Sequence, residues 1–165
     1  MRDAGGLARF VARYGGLFEH SPWVAERTFG RGPFADREHL HRELCATMRA
    51  APREEQLALI RAHPDLAGRL AQHGALTQAS TAEQASAGLD RLDPHELERF
   101  QRLNTAYREK FDFPFVVCAR LNDRATILAA MQRRLAHEAD AEFATALSEI
   151  EQIAALRLAD IDSAP

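Results

Sequence analysis

Proton chemistry in this chain points first to His63, in the stretch Arg61-Ala62-His63-Pro64-Asp65-Leu66. Pro64 drives the residue before it out of the helical region and is itself suited to open a helix, so the sequence predicts a corner between two helices. His63 also follows the apolar stripe of Leu57 and Ile60, which turns its ring inward. An imidazole held that way is placed to take and give protons near neutral pH; the alternative is a core histidine bonded to a carbonyl. A second group is Ser80-Thr81-Ala82-Glu83-Gln84. Ser-x-x-Glu reads as a capping box. The same spacing puts a hydroxyl, a carboxylate and an amide on one face of a first helical turn, a polar wall that tolerates an anion. Third is the apolar run Phe113-Pro114-Phe115-Val116-Val117-Cys118, too short for a helix and without a strand to pair with. Its buried N–H and C=O groups need partners, which water and helix ends, or a flat amide-bearing ligand, would supply.

Behind these residues the chain reads as helices almost throughout. The clearest start is Asp93-Pro94-His95-Glu96, with a cap, a proline at the first position and a glutamate three residues on. Leu97, Phe100, Leu103, Tyr107 and Phe111 then share one face, predicting a helix from about Pro94 to Lys110. A last long helix runs from near His137 to about Leu158, with Phe143, Leu147, Ile150 and Ala154 inward. Arg157 falls next on that stripe. A guanidinium there must meet an anion or reach the rim. Shorter helices are expected over Leu7–Tyr14, Pro22–Thr28 (capped by Ser21), Asp36–Met48, Pro52–Ala62, Pro64–Ala71, Ser80–Leu89 and Asn122–Leu135. No strand pair and no repeat emerges. The expected fold is all-α, a single-domain bundle of about eight helices with no sheet, over residues 1–165.

Composition narrows the function. The chain has 165 residues, and 46% hydrophobic with 27% charged is that of a globular protein able to bury a core without a metal or disulfide staple. A net charge of −3 without any dense basic run argues against nucleic acid and anionic membranes. No segment approaches the ~18 apolar residues of a membrane span. The opening MRDAGGLARF has no apolar signal core, and Cys45 and Cys118 lack metal or redox spacing, so a reducing cytoplasm is expected. His39 and His41 point to different helix faces, and His20, His73, His95 and His137 lack ligand-patterned partners, so no metal site is expected.

Taken in chain order, these pieces resemble a known family, the 2-oxo-4-hydroxy-4-carboxy-5-ureidoimidazoline (OHCU) decarboxylases of urate breakdown. The matching segments begin with Phe18-Glu19-His20-Ser21-Pro22-Trp23-Val24, Ala62-His63-Pro64-Asp65-Leu66, and Leu76-Thr77 with Ser80-x-x-Glu83-Gln84-x-x-Ala87-Gly88-Leu89. They continue through Phe100-x-x-Leu103-Asn104-x-x-Tyr107-x-x-Lys110-Phe111, Phe113-Pro114-Phe115-Val116-Val117-Cys118 and Ala155-Leu156-Arg157-Leu158. The resemblance covers about residues 7–158. It implies an all-helical homodimer without a cofactor. The family's catalytic histidine matches His63, its ligand-binding segments match Pro64, Ser80 to Gln84 (Ser80, Thr81, Ala82, Glu83, Gln84) and Phe115 to Ala119 (Phe115, Val116, Val117, Cys118, Ala119), and its anion-binding arginine matches Arg157. Family members often carry glycine where this chain has Asp112; if φ is positive there, Asp tolerates it less well.

The activity so implied is conversion of OHCU to (S)-allantoin and CO2, with His63 handling protons and Glu83 orienting it. A helical ureide-binding module without turnover would share every one of these pocket residues and is the alternative reading.

Overall fold

The structure is a computed structural model describing residues 3–68, 71 and 73–164. Eight α-helices and two 3₁₀ turns form among the described residues, and no strand, as expected for an all-α chain. The helices are α1 (Ala4–Tyr14), α2 (Trp23–Thr28), α3 (Arg37–Ala50), α4 (Arg53–Arg61), α5 (Gln78–Ser86), α6 (Pro94–Phe111), α7 (Arg124–Arg134) and α8 (Ala139–Ser163). No helix among the described residues is long and apolar enough to cross a membrane. The chain divides into two compact units, Met1–Ala62 with Glu151–Pro165, and His63–Ile150.

In the first unit, α1, α2 and α3 pack in sequence around Leu17, Phe18, Val24, Leu40, Leu44 and Met48, all buried. Aspartates start two of these helices. Asp3 accepts from the Gly5 N–H at 3.0 Å, and Asp36 from the His39 N–H at 2.7 Å, filling donors that a helix start leaves open. Pro22, not Ser21, occupies the cap position of α2; the Ser21 hydroxyl instead donates to the Glu19 carbonyl at 2.9 Å. His39 and His41 are spent on backbone, the first accepting from the Ala35 N–H and the second bonded to the Glu151 carbonyl.

The second unit is built on α6. Its start is the capping box expected from Asp93 and Glu96. Its inward stripe buries Phe100, Tyr107 and Phe111, and Tyr107 stands edge-on to Phe115 at 5.4 Å between centroids. The helix ends at Asp112, whose φ of 60° is left-handed. That position does require positive φ, and aspartate bears the strain a glycine would not.

One expected helix, Pro64–Ala71, is absent from the first part of its predicted range, although Ala71 is helical. Over residues 64–68, the Pro64–Ala71 segment makes a turn with Ala67 at φ 51°; Arg69 and Leu70 lie outside the described residues.

Candidate active site

His63 sits two residues past the end of α4 and is 6% exposed. The turn after it contains a left-handed alanine, a conformation costing ~1–2 kcal/mol that needs outside support. Support comes from three side chains. Gln84 on α5 donates from Nε2 to the Asp65 carbonyl at 3.3 Å and accepts at Oε1 from the Ala67 N–H at 3.0 Å. Asn104 on α6 donates to the Leu66 carbonyl at 2.8 Å, and Arg108 donates to Asp65 Oδ1 at 2.8 Å. These bonds tie one Nε2 hydrogen and one Oε1 lone pair of the Gln84 amide to the turn that follows His63.

The capping-box reading of Ser80 and Glu83 fails on register. Helix α5 starts two residues earlier than Ser80, and Thr77 is its cap, accepting the Ser80 N–H at 3.2 Å. Glu83 lies mid-helix and half-buried, released from capping duty. Ser80 and Gln84 are buried, whereas Thr81 and Ala82 are exposed and the Thr81 hydroxyl donates back to the Thr77 carbonyl at 3.0 Å.

Phe115, Val116, Val117, Cys118 and Ala119 are all buried. Two of their backbone carbonyls and one N–H are satisfied by protein side chains. Arg134 Nη1 donates to the Val116 carbonyl at 2.8 Å, the Cys118 N–H donates to Glu149 Oε2 at 2.9 Å, and Asn122 Nδ2 donates to the Cys118 carbonyl at 2.9 Å. Behind Arg134 stands Glu142, fully buried, whose Oε1 accepts from Arg134 Nε at 2.8 Å and from the Tyr107 hydroxyl at 2.5 Å. Its other oxygen lies 3.0 Å from His137 Nδ1. Burial, with Glu142 adding to it, pushes the Tyr107 hydroxyl far above its usual range, so Tyr107 is a permanent donor. Sequence reasoning missed Arg134, Glu142, Glu149 and Asn104. One signal was available: Ile127, Met131 and Arg134 share a stripe, the same anomaly that singled out Arg157.

Three of the sequence-derived segments therefore meet in the second unit. The turn after His63 is bonded to α5, and α5 packs on the 3₁₀ turn Ala119–Leu121 that closes the apolar loop. Glu83 lies close enough to the loop to raise the Cys118 thiol, after the larger effects of burial and the Glu149 carboxylate. Arg157 belongs to the first unit, 7% exposed, and it meets an anion rather than the rim. Its Nη2 donates to Glu19 Oε2 at 2.7 Å and its Nη1 to the Gly16 carbonyl at 3.3 Å. Among the described residues no three His, Cys, Asp or Glu side chains are grouped to hold a metal.

The family model for OHCU decarboxylase matches residues 5–159 of this sequence. The chain belongs to the OHCU decarboxylase family. It is 48% identical over 151 residues to an OHCU decarboxylase of Haloferax volcanii, covering 92% of this chain and 88% of that one. An OHCU decarboxylase of Mus musculus is 44% identical over 155 residues, 94% of this chain and 87% of the other. Among solved structures, an (S)-allantoin synthase superposes with a TM-score of 0.73 at 30% identity; the match covers 94% of this chain but 50% of that one. This chain therefore spans half the length of that solved protein.

Proposed function

We propose that this protein is a decarboxylase that converts OHCU to (S)-allantoin and CO2 in urate breakdown. Family membership over residues 5–159 carries the reading, and it also supports treating residues 1–165 as one functional domain. The substrate accounts for the absence of a cofactor from the scheme. When its C–C bond to the carboxylate breaks, the electron pair flows into the adjacent ring C=N, so the molecule is its own electron sink. The ring nitrogen that receives the pair takes up a proton, the ring hydroxyl loses one, and a proton arrives at the former C=N carbon.

The protein's share is orientation and proton delivery. The carboxylate must stand out of the ring plane so that the breaking bond overlaps the C=N system. His63 is the proposed acid and base, buried and backed by a turn fastened at several points. Glu83, freed from capping, is the proposed partner that orients the imidazole or the substrate hydroxyl. Pro64, Ser80, Thr81, Ala82 and Gln84 are the proposed binding residues on the α5 side, and Phe115 to Ala119 the opposing wall. Arg157 enters from the family pattern as donor to a substrate oxygen. Its pairing with Glu19 limits the positive charge it offers, which suits a reaction that full neutralisation of the carboxylate would oppose. A homodimer is proposed from the family resemblance. The cytoplasm is proposed because two unpaired thiols, Cys45 and Cys118, suit a reducing compartment.

The test follows the ultraviolet absorbance of freshly generated OHCU, with allantoin handedness read by circular dichroism. Decay faster than the enzyme-free control, with the (S) enantiomer in excess, is expected. A rate equal to the control with racemic product, alongside measurable ureide binding, would replace the enzyme with the binding module.

A further inference from the structure

Arg134, Glu142 and Tyr107, buried polar groups of the second unit that the reaction leaves unused, gather behind one loop. Arg134 is 4% exposed at the last turn of α7, and its side chain engages Phe115, Val116 and the Glu142 carboxylate that fixes its own position. Its Nη1 holds the Val116 carbonyl, and its guanidinium carbon lies 4.2 Å from the Phe115 ring centroid. Its Nε is locked by Glu142, which Tyr107 and His137 lock in turn. The third guanidinium nitrogen, Nη2, is buried without a hydrogen-bond partner among the described residues. A structural ion pair alone would be better served with that donor satisfied. What the arrangement does secure is a planar cation laid against one loop residue while bonded to the backbone of the next, a geometry that lysine cannot reproduce.

We propose that Arg134, clamped by Glu142, is a positioning residue for substrate recognition: it fixes the Phe115–Val116 segment so that residues Phe115 to Ala119 present a preformed wall to the ureide. The proposal rests on the reading of that loop as a substrate wall. A preformed wall spares the ordering cost on binding, so losing the clamp weakens binding more than it slows the chemical step.

Arg134→Lys keeps the charge beside Glu142 and removes the fork. Its KM for OHCU is expected to rise about tenfold with kcat changed less than about threefold, and its affinity for (S)-allantoin to fall about tenfold by calorimetry. Amide hydrogen exchange over residues 113–121 should quicken by about tenfold while exchange within α6 stays at the wild-type rate. Glu142→Gln, which keeps hydrogen bonds but removes the orienting charge, should move the same readings in the same direction by less. A purely stabilising role would instead raise exchange throughout the unit and leave KM per folded molecule unchanged, and that result in either folded variant overturns the proposal. Should neither variant fold, the wild-type protein decides. The Val117 amide, on the peptide whose carbonyl Arg134 holds, must be protected without ligand, and solvent-like exchange there overturns the clamp. A wild-type chain lacking turnover would sink the activity reading, while the exchange result would still decide the clamp.

Discussion

Among the described residues each unit buries one arginine–glutamate pair: Arg157 with Glu19 in the first, Arg134 with Glu142 in the second. Their donor–acceptor distances, 2.7 and 2.8 Å, are nearly the same. Their surroundings differ. Arg157 also donates to the Gly16 carbonyl and Glu19 also lies 3.8 Å from the exposed His20, whereas Glu142 also takes His137 and the buried Tyr107, and Arg134 also takes Val116 and the Phe115 ring. A buried ion pair by itself says little about purpose, since desolvation consumes much of its Coulomb gain. Purpose shows in what else the pair grips. The first unit's pair ties a helix to the chain near Gly16 and leaves a guanidinium proposed for the substrate. The second unit's pair grips a loop.

Breaking the pairs sharpens the contrast most. Removing one partner from a buried pair strands the other charge, a loss of about 3–5 kcal/mol. Glu142→Ala should reach the top of that range in denaturant unfolding because three side chains lose their acceptor, and Glu19→Ala should fall below it. Equal losses would erase the distinction. Next in size is Glu83. With Thr77 as the cap of α5, Glu83→Gln and Glu83→Ala should both keep the wild-type melting temperature while turnover falls by about tenfold or more. Thr77→Ala should show the converse, about 1 kcal/mol of lost stability with turnover per folded molecule retained. A lower melting temperature in both Glu83 variants with wild-type turnover would return Glu83 to a structural role.

The two thiols extend the comparison at smaller scale. Burial, with Glu151 adding to it, pushes the Cys45 thiol up to about 12, and burial, with Glu149 adding to it, pushes the Cys118 thiol up as well. Both should alkylate at pH 8 more than about tenfold slower than an exposed cysteine, since the thiolate is the reacting form. (S)-allantoin should slow Cys118 further and leave Cys45 unaffected; equal protection of both would place the ligand elsewhere. The smallest effect concerns exposed carboxyls in either unit. The Arg27 guanidinium holds Glu55 below its usual range, and backbone N–H groups at helix starts do the same for Asp93 and Asp123. A lowered folded value means stability present above the unfolded carboxyl pKa and lost as pH falls through the folded one. Asp93→Asn should therefore flatten the acid arm of the stability curve slightly, and Glu55→Gln should do so in the first unit. A steeper acid arm in either variant would contradict the sign.

Local patterns were enough to read α6, its capping box and the stripe anomaly at Arg157, because each depends on residues within two helical turns. Residues 64–68, expected to begin a helix, make a turn instead because the bonds that hold it come from Gln84 and Asn104, 17 and 38 residues away from their partners. The register of α5 was ambiguous for a different reason: Thr77 and Ser80 are both good caps three residues apart, and tertiary packing chose the first. Arg134 hid in plain view. A basic residue in the last turn of a helix is ordinarily a solvated partner for the helix dipole, and that ordinary reading masked the signal of its place on the Ile127 and Met131 stripe.

The central claim is that His63 performs the proton transfers, and it is tested most directly by His63→Ala. Turnover of fresh OHCU, corrected for spontaneous decay and scored for (S)-allantoin by circular dichroism, should fall by about 10²–10⁴ with helical content and melting temperature preserved. A folded His63→Ala protein that turns over OHCU at the wild-type rate with the same handedness of product would contradict it.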